Sequence, residues 1–463
     1  MYKPIANWHA RKDRVMRKIR LRNRWRLIQF AVIGLLIGLI IVSGALVSED
    51  LGVVPEIVSE DEQDVRITQE LSLAPDKEGA VQVEESITLP ASITSFELRI
   101  PRDAEVIDAD GFNQTDDRTF AWNGDIETVT ISYYAHVNRQ IEGEGPIAGP
   151  GQYYFYDGGD WALFQRPSSS YSLSWRGDHQ VATNRTTTTA GEGVVNENLV
   201  YLGEYERHDY AGTDHDFVLI EPTIASLAES PDDIFSSLEH ASTYLDVGSY
   251  DEPIFMIAAP TTDIRWGVRG LQIGAADMWV RDSERLDDPN NVWIHEYVHT
   301  QQRFATDASA RWLFEATATY YAALITYEQE RIETREFDAW IALGDNERYD
   351  DVVMNDPETW DYHADYLLGQ YLLATIDEEI ASATNGTASF VSVFRALNDA
   401  ADRITHERLI EIIEQLSDAD IAAWVDRLLA TTERPTPNSV DSPVSAPNAE
   451  LGSASGWRVV ALP

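Results

Sequence analysis

After residue 64, hydrophobic and polar positions alternate with a period of two. The runs VRITQELSL (65–73), AVQVEESITL (80–89), SFELRI (95–100) and ETVTISYYAHV (127–137) place most of their Val, Ile, Leu, Phe and Tyr at every second position. Side chains of a strand point alternately to its two faces, so this pattern predicts antiparallel strands with one buried face. Turn chemistry separates the runs: Pro75-Asp76, Asp110-Gly111 and Asn123-Gly124. The length suits a β-sandwich of about six or seven strands. Residues 139–215, rich in Gly, Ser and Thr, read as further strands and long loops.

From 216 the pattern becomes mixed. Strands are expected at 217–221, 253–259 and 270–281, with a helix at 231–245 opened by Pro231 and followed by Asp232 and Asp233. Two apolar helices follow across 293–321, with Asn290 or Asn291 and Asp307 or Ser309 as N-caps. Helical periodicity then fills 362–379, 388–401, 406–416 and 418–430, and 433–463 is a Pro-, Ser- and Asn-rich tail.

The N-terminal pattern differs from all of this. Residues 27–47 are an apolar run of 21 residues whose only strongly polar member is Gln29. As a helix it would be roughly 31 Å long at 1.5 Å per residue, enough for a bilayer core of about 30 Å. Residues 1–26 hold ten Lys or Arg against one acid, whereas Glu49 and Asp50 follow the run. The positive-inside bias makes 1–26 a cytoplasmic tail and places the rest outside the cell membrane. The run is longer than a signal-peptide core, which favours a single-pass anchor; a cleaved signal peptide ending near Ser43-Gly44-Ala45 is the alternative. Residues 48–64 read as an acidic linker. The expected fold class is therefore α+β: an N-terminal transmembrane helix (27–47), a β-sandwich-like domain (65–215), then an α/β plus helical domain (216–432).

Composition changes the picture in two ways. The chain has no Cys, which excludes disulfides, thiolate metal sites and a Cys nucleophile, so any metal must be held by His and carboxylates. Net charge is −43, and after the basic tail 25 basic side chains face 77 acidic ones, with Lys77 the sole Lys beyond Lys18. Acid spread this widely resembles the surfaces of proteins from salt-loving microbes such as haloarchaea. Its self-repulsion fades at molar salt, where the screening length is about 3 Å. Nucleic-acid binding is disfavoured outside the tail.

The chemistry gathers in WIHEYVHTQQRFATDASARWLFEATATYY (293–321). His295 and His299, four apart, lie on one helix face and can share a metal ion. Glu296 projects about 100° around that helix and can reach a metal's water without ligating. Glu315, on a second apolar helix, would complete three protein ligands and leave one zinc position open. Buried His and Glu without partners would be costly, and Zn²⁺ supplies a shared partner.

These residues carry a resemblance. HEYVHT followed by WLFEATATYY resembles the gluzincin metallopeptidases, most closely the glycyl aminopeptidase-like family, through His295, Glu296, His299, Trp312, Glu315, Tyr320 and Tyr321. Tyr366, Gly369 and Asp377 match a further element, with Leu368 where the family has Lys, and the resemblance covers about 216–432. It implies a thermolysin-like catalytic domain that hydrolyses peptide or protein substrates with Zn²⁺ held by His295, His299 and Glu315. Glu296 is then the general base, and Tyr366 donates to the developing oxyanion, with His363 the runner-up. Asp307 and Glu328 are candidates for orienting the zinc histidines. No acidic amine-binding motif occurs in the 270–273 strand, so exopeptidase and endopeptidase both stay open. A non-catalytic surface-binding or envelope quality-control protein with a structural zinc is the alternative.

Overall fold

Alternation with period two builds the first part of the chain as expected: seven strands span 65–136, and further strands follow between 154 and 211. The computed structural model describes residues 65–432 apart from 78, 92, 94, 101–103, 125, 137–152, 158–169, 175–182, 197–198, 250–251, 262–267 and 361–362. The basic tail (1–26), the apolar run (27–47), the linker (48–64) and the tail 433–463 lie outside the described residues. Among the described residues no helix is long and apolar enough to cross a membrane.

Strands β1 (Val65–Leu73), β2 (Ala80–Thr88), β4 (Glu105–Asp110), β7 (Thr128–His136) and β10 (Thr183–Thr189) form one sheet in the order β10-β1-β2-β7-β4. A second sheet runs β5-β6-β3-β9, from Phe112–Gln114, Thr119–Trp122, Ser95–Arg99 and Ser170–Ser174. Val65, Ile67, Val81, Val83, Val129 and Ile131 of the first sheet share a core with Phe96, Leu98 and Phe120 of the second. A third, β11-β12-β8, is built from Gly193–Asn196, Leu199–Leu202 and Tyr154–Asp157.

The sheet that positions the site has the order β13-β14-β15-β17-β16, from Tyr205–Ala211, Asp216–Pro222, Ile254–Ala259, Asp277–Arg281 and Gly270–Ile273. Strands β14, β15 and β17 are parallel, and antiparallel β13 and β16 form the two edges. β13 lies ahead of the boundary expected at 216 yet pairs along its whole length with β14, so the sheet straddles that boundary. The segment 270–281, expected as one strand, is a hairpin that turns at left-handed Gly274.

Both faces of this sheet are buried, which explains its continuous apolar runs. Phe217, Leu219, Met256, Met278 and Val280 pack with the helices, while Val218, Ile220, Phe255, Ile257 and Trp279 join the core of the preceding sheets. The helices are α1 (Pro231–Leu245), α2 (Val292–Thr300), α3 (Leu313–Glu328), α4 (Thr334–Ile341), α5 (Leu367–Ala383), α6 (Phe390–Asn398), α7 (His406–Leu416) and α8 (Ala419–Ala430).

Helix starts follow cap chemistry. Ser230 caps α1 with Pro231 in its first turn, and the Asn291 side chain accepts from Ile294 N at the start of α2. Asn291 Nδ2 also donates to Thr326 Oγ1, tying α2 to α3. Asp307 does not cap α3. It closes a short 3₁₀ turn at Ala308–Ala310, and α3 starts after Trp312 without a side-chain cap. Helix α5 begins at Leu367 rather than 362, because His363 takes a left-handed φ of 58° that no continuing helix allows. Helix α4 was not expected; Glu333 and Glu336 form the capping box that opens it.

Candidate metal centre

Helix α2 is buried nearly all round, so its polar residues are held inside the fold rather than on a wet face. His295 and His299 stand one turn apart, with their Nε2 atoms 3.2 Å from each other. Glu315, in the first turn of α3, places Oε2 3.4 Å from each of those nitrogens. Three donor atoms at 3.2, 3.4 and 3.4 Å form a nearly equilateral triangle. Zinc bonds of about 2.0–2.1 Å in tetrahedral geometry require donor separations of about 3.3–3.4 Å. The triangle has the size of one face of a zinc tetrahedron.

Two further observations fit a cation there. Glu315 Oε2 is buried and makes no well-aligned hydrogen bond, its nearest polar neighbours being the two imidazole nitrogens at 3.4 Å. The electrostatics also favour positive charge. Burial alone would lower the His299 pKa, but Glu315, Glu296 and Gln302 together outweigh it and raise the value to about 9. Burial would likewise raise Glu315, yet the two imidazoles hold it well below the usual carboxylate range. The residues present therefore fit zinc.

Glu296 sits beside this triangle, against the edge strand. Its Oε2 accepts from the backbone N–H of Gln272 in β16 at 2.8 Å. Burial raises its pKa, and the neighbouring His295 and His299 only partly offset the shift. Gly270, also in β16, lets the strand come this close: a Cβ there would lie 2.8 Å from Glu296 Cγ and 2.8 Å from Val292 Cγ1.

Tyr366, just ahead of α5, lies parallel to the His295 ring, with centroids 5.9 Å apart. Burial and the Glu315 carboxylate push its hydroxyl pKa far upward, so it stays a donor. His363 packs edge-on against the Tyr366 ring and is exposed. Asp377 lies away from the triangle's donors: its carboxylate accepts from Tyr320 Oη at 2.6 Å and from Phe390 N at 2.5 Å, joining α3, α5 and α6. Gly369 packs on Ala316, where a Cβ would come within 2.6 Å of the alanine Cβ, so α5 can approach the helix that carries Glu315.

The residues expected to orient the histidines are elsewhere. Asp307 accepts from Ser309 and Ala310, and Glu328 is exposed at the end of α3. Gln302 occupies that place instead, with Oε1 2.9 Å from His299 Nδ1. Its position three residues after His299, one turn along the same face, was the available signal. A second group of metal-ligand side chains lies on β13 and β14: Glu206, His208 and Glu221. It is half-exposed, and His208 is already paired with Glu221 at 2.9 Å.

No protein-family model matches the sequence, and no curated protein matches it. Solved structures do resemble it. An aminopeptidase N family protein from Idiomarina loihiensis superposes with a TM-score of 0.53 at 10% identity, covering 79% of this chain and 76% of that one. The M1 zinc metallopeptidase from Deinococcus radiodurans gives 0.46 at 15% identity over 83% and 96% of the two chains. A mutant of that enzyme bound to a Tyr-Ser-Ala substrate gives 0.48 at 14% identity over 82% and 96%. The similarity to the first of these is one of fold: β-sheets followed by a helical region.

Proposed function

We propose that this chain is a zinc-dependent metallopeptidase that hydrolyses peptide bonds. The observation that carries the reading is the donor triangle of His295, His299 and Glu315 with buried Glu296 beside it. Zinc held by those three residues would act as a Lewis acid and lower the pKa of a water towards about 7.

The chain's own residues account for the remaining work. Glu296 is a strengthened base because burial raises its pKa. With Oε2 held by Gln272 N–H, Oε1 is the oxygen left to take the water proton and pass it to the leaving amine. The Tyr366 hydroxyl, kept protonated by burial and by Glu315, is the donor for the developing oxyanion, a contribution of about 3–4 kcal/mol at most. Strand β16 is a sheet edge beside Glu296, and such an edge can pair with an extended peptide through backbone hydrogen bonds. The basic tail and the apolar run 27–47 support a single-pass anchor in the cell membrane with the catalytic region outside.

The test uses the full chain at high salt with a peptide library. The native protein should bind one zinc and cleave peptides, chelator should stop cleavage, and Glu296→Gln should keep zinc but lose turnover. A native chain without stoichiometric metal would remove the reading. Equal, negligible turnover of the native chain and Glu296→Gln, both zinc-loaded, would leave the non-catalytic alternative.

A further inference from the structure

We propose that Gln302 is a positioning residue of the metal centre, fixing the His299 tautomer and joining it to the turn that carries Glu315. The inference rests on the zinc reading above. Gln302 lies just beyond the end of α2. Its Nε2 donates to Phe314 O at 2.7 Å and to Thr317 Oγ1 at 2.8 Å. Thr317 Oγ1 in turn donates to Leu313 O at 2.7 Å, which leaves its lone pairs free to accept from Gln302.

Both amide hydrogens of Gln302 therefore face acceptors. A flipped amide would set Oε1 against the Phe314 carbonyl, so the oxygen must face the His299 ring. At 2.9 Å from Oε1, His299 Nδ1 must then be the protonated nitrogen. Its Nε2, the nitrogen that would bind metal on losing its proton, faces His295 and Glu315. Phe314 and Thr317 flank Glu315 in the first turn of α3, so one side chain orients one ligand and braces the helix turn of another.

The two histidines differ in this respect. His295 Nδ1 is buried without a hydrogen-bond partner, and its ring is held by packing against Tyr366 and His299. His299 is thus the ligand in which a hydrogen-bond acceptor decides that Nδ1 keeps its proton and Nε2 is the nitrogen that gives one up to bind metal. An amide does this without adding negative charge, so the ligand set keeps one carboxylate, Glu315. Partners of this kind commonly control metal affinity.

The test measures zinc affinity of the full chain at high salt by competition with a chromophoric chelator. Gln302→Met keeps side-chain length without the acceptor and should bind zinc about 10- to 100-fold more weakly. Gln302→Glu keeps an oxygen for Nδ1–H but sets its other oxygen against the Phe314 carbonyl, so it should recover only part of that loss and bind zinc between Gln302→Met and native. Zinc affinity of Gln302→Met within about threefold of native would overturn the inference, as would a Gln302→Glu affinity no tighter than that of Gln302→Met. If circular dichroism shows that metal-free Gln302→Met has lost its helices, Gln302→Glu decides: native fold with zinc affinity within about tenfold of native supports the inference, and native fold with weaker binding than that overturns it. A native chain that binds no zinc fails differently, since it removes the metal reading itself.

Discussion

Gly270→Ala adds one methyl group where the edge strand meets the proposed base. The added Cβ would stand 2.8 Å from Glu296 Cγ, 2.8 Å from Val292 Cγ1 and 2.9 Å from Glu296 Oε1. Carbon atoms normally approach to about 3.5 Å, so the Glu296 side chain must retreat by about 0.6–0.7 Å. It cannot do so freely, because Gln272 N–H holds its Oε2 at 2.8 Å and the residue is buried. A misplacement of about 1 Å at a reacting group can cost about 100-fold. The expected loss in kcat/KM is therefore about 10- to 50-fold, or about 1.4–2.3 kcal/mol. None of the closest atoms belongs to His295, His299 or Glu315, so zinc affinity should stay within about threefold of native. Peptide hydrolysis, zinc competition and a thermal unfolding midpoint should be measured on the same preparation. A kcat/KM within twofold of native would refute the placement of Glu296 as base. A matching loss of zinc would show that the methyl acts through the metal instead.

Gly369→Ala should separate α3 from α5, because its Cβ would meet Ala316 Cβ at 2.6 Å; a cost of about 1–3 kcal/mol should appear as a lower denaturant midpoint. Asp377→Ala should cost about 2–4 kcal/mol by stranding the Tyr320 hydroxyl and Phe390 N–H, with Tyr320→Phe costing less, and equal midpoints for all three chains would contradict this. His215 gives a pH test. Burial lowers its pKa despite its contact with Gln301, so the unfolded chain takes up a proton near about pH 6.5 while the folded one does so only at lower pH. Stability should therefore fall as pH drops below about 6.5, and His215→Gln should show a smaller fall between pH 7.5 and 5.5. The net charge of −43 predicts a thermal midpoint that rises from dilute buffer to molar salt, where screening shortens to about 3 Å; a flat response would count against a salt-adapted surface.

Local chain geometry made much of this protein legible from residues alone. Strand β1 and helix α1 span 65–73 and 231–245, as the alternation and Pro231 indicated, because period and cap act within about four residues. The same reach puts His295 and His299 on one face of a helix. Even α4 carried its signal, the pair Glu333 and Glu336 ahead of Phe337, Trp340 and Ile341 at helical spacing. Tertiary structure decided the rest. Whether Glu315 would meet the two histidines depended on how α3 packs on α2, and Gly369 against Ala316 shows how little room that helix layer leaves. The edge strand's grip on Glu296, the bond from the Gln302 amide to Phe314 and the Tyr320–Asp377 bond all join residues that no short period relates. Sequence patterns report on neighbours along one element, whereas these contacts exist only because separate elements bury their apolar faces together and carry their polar groups with them.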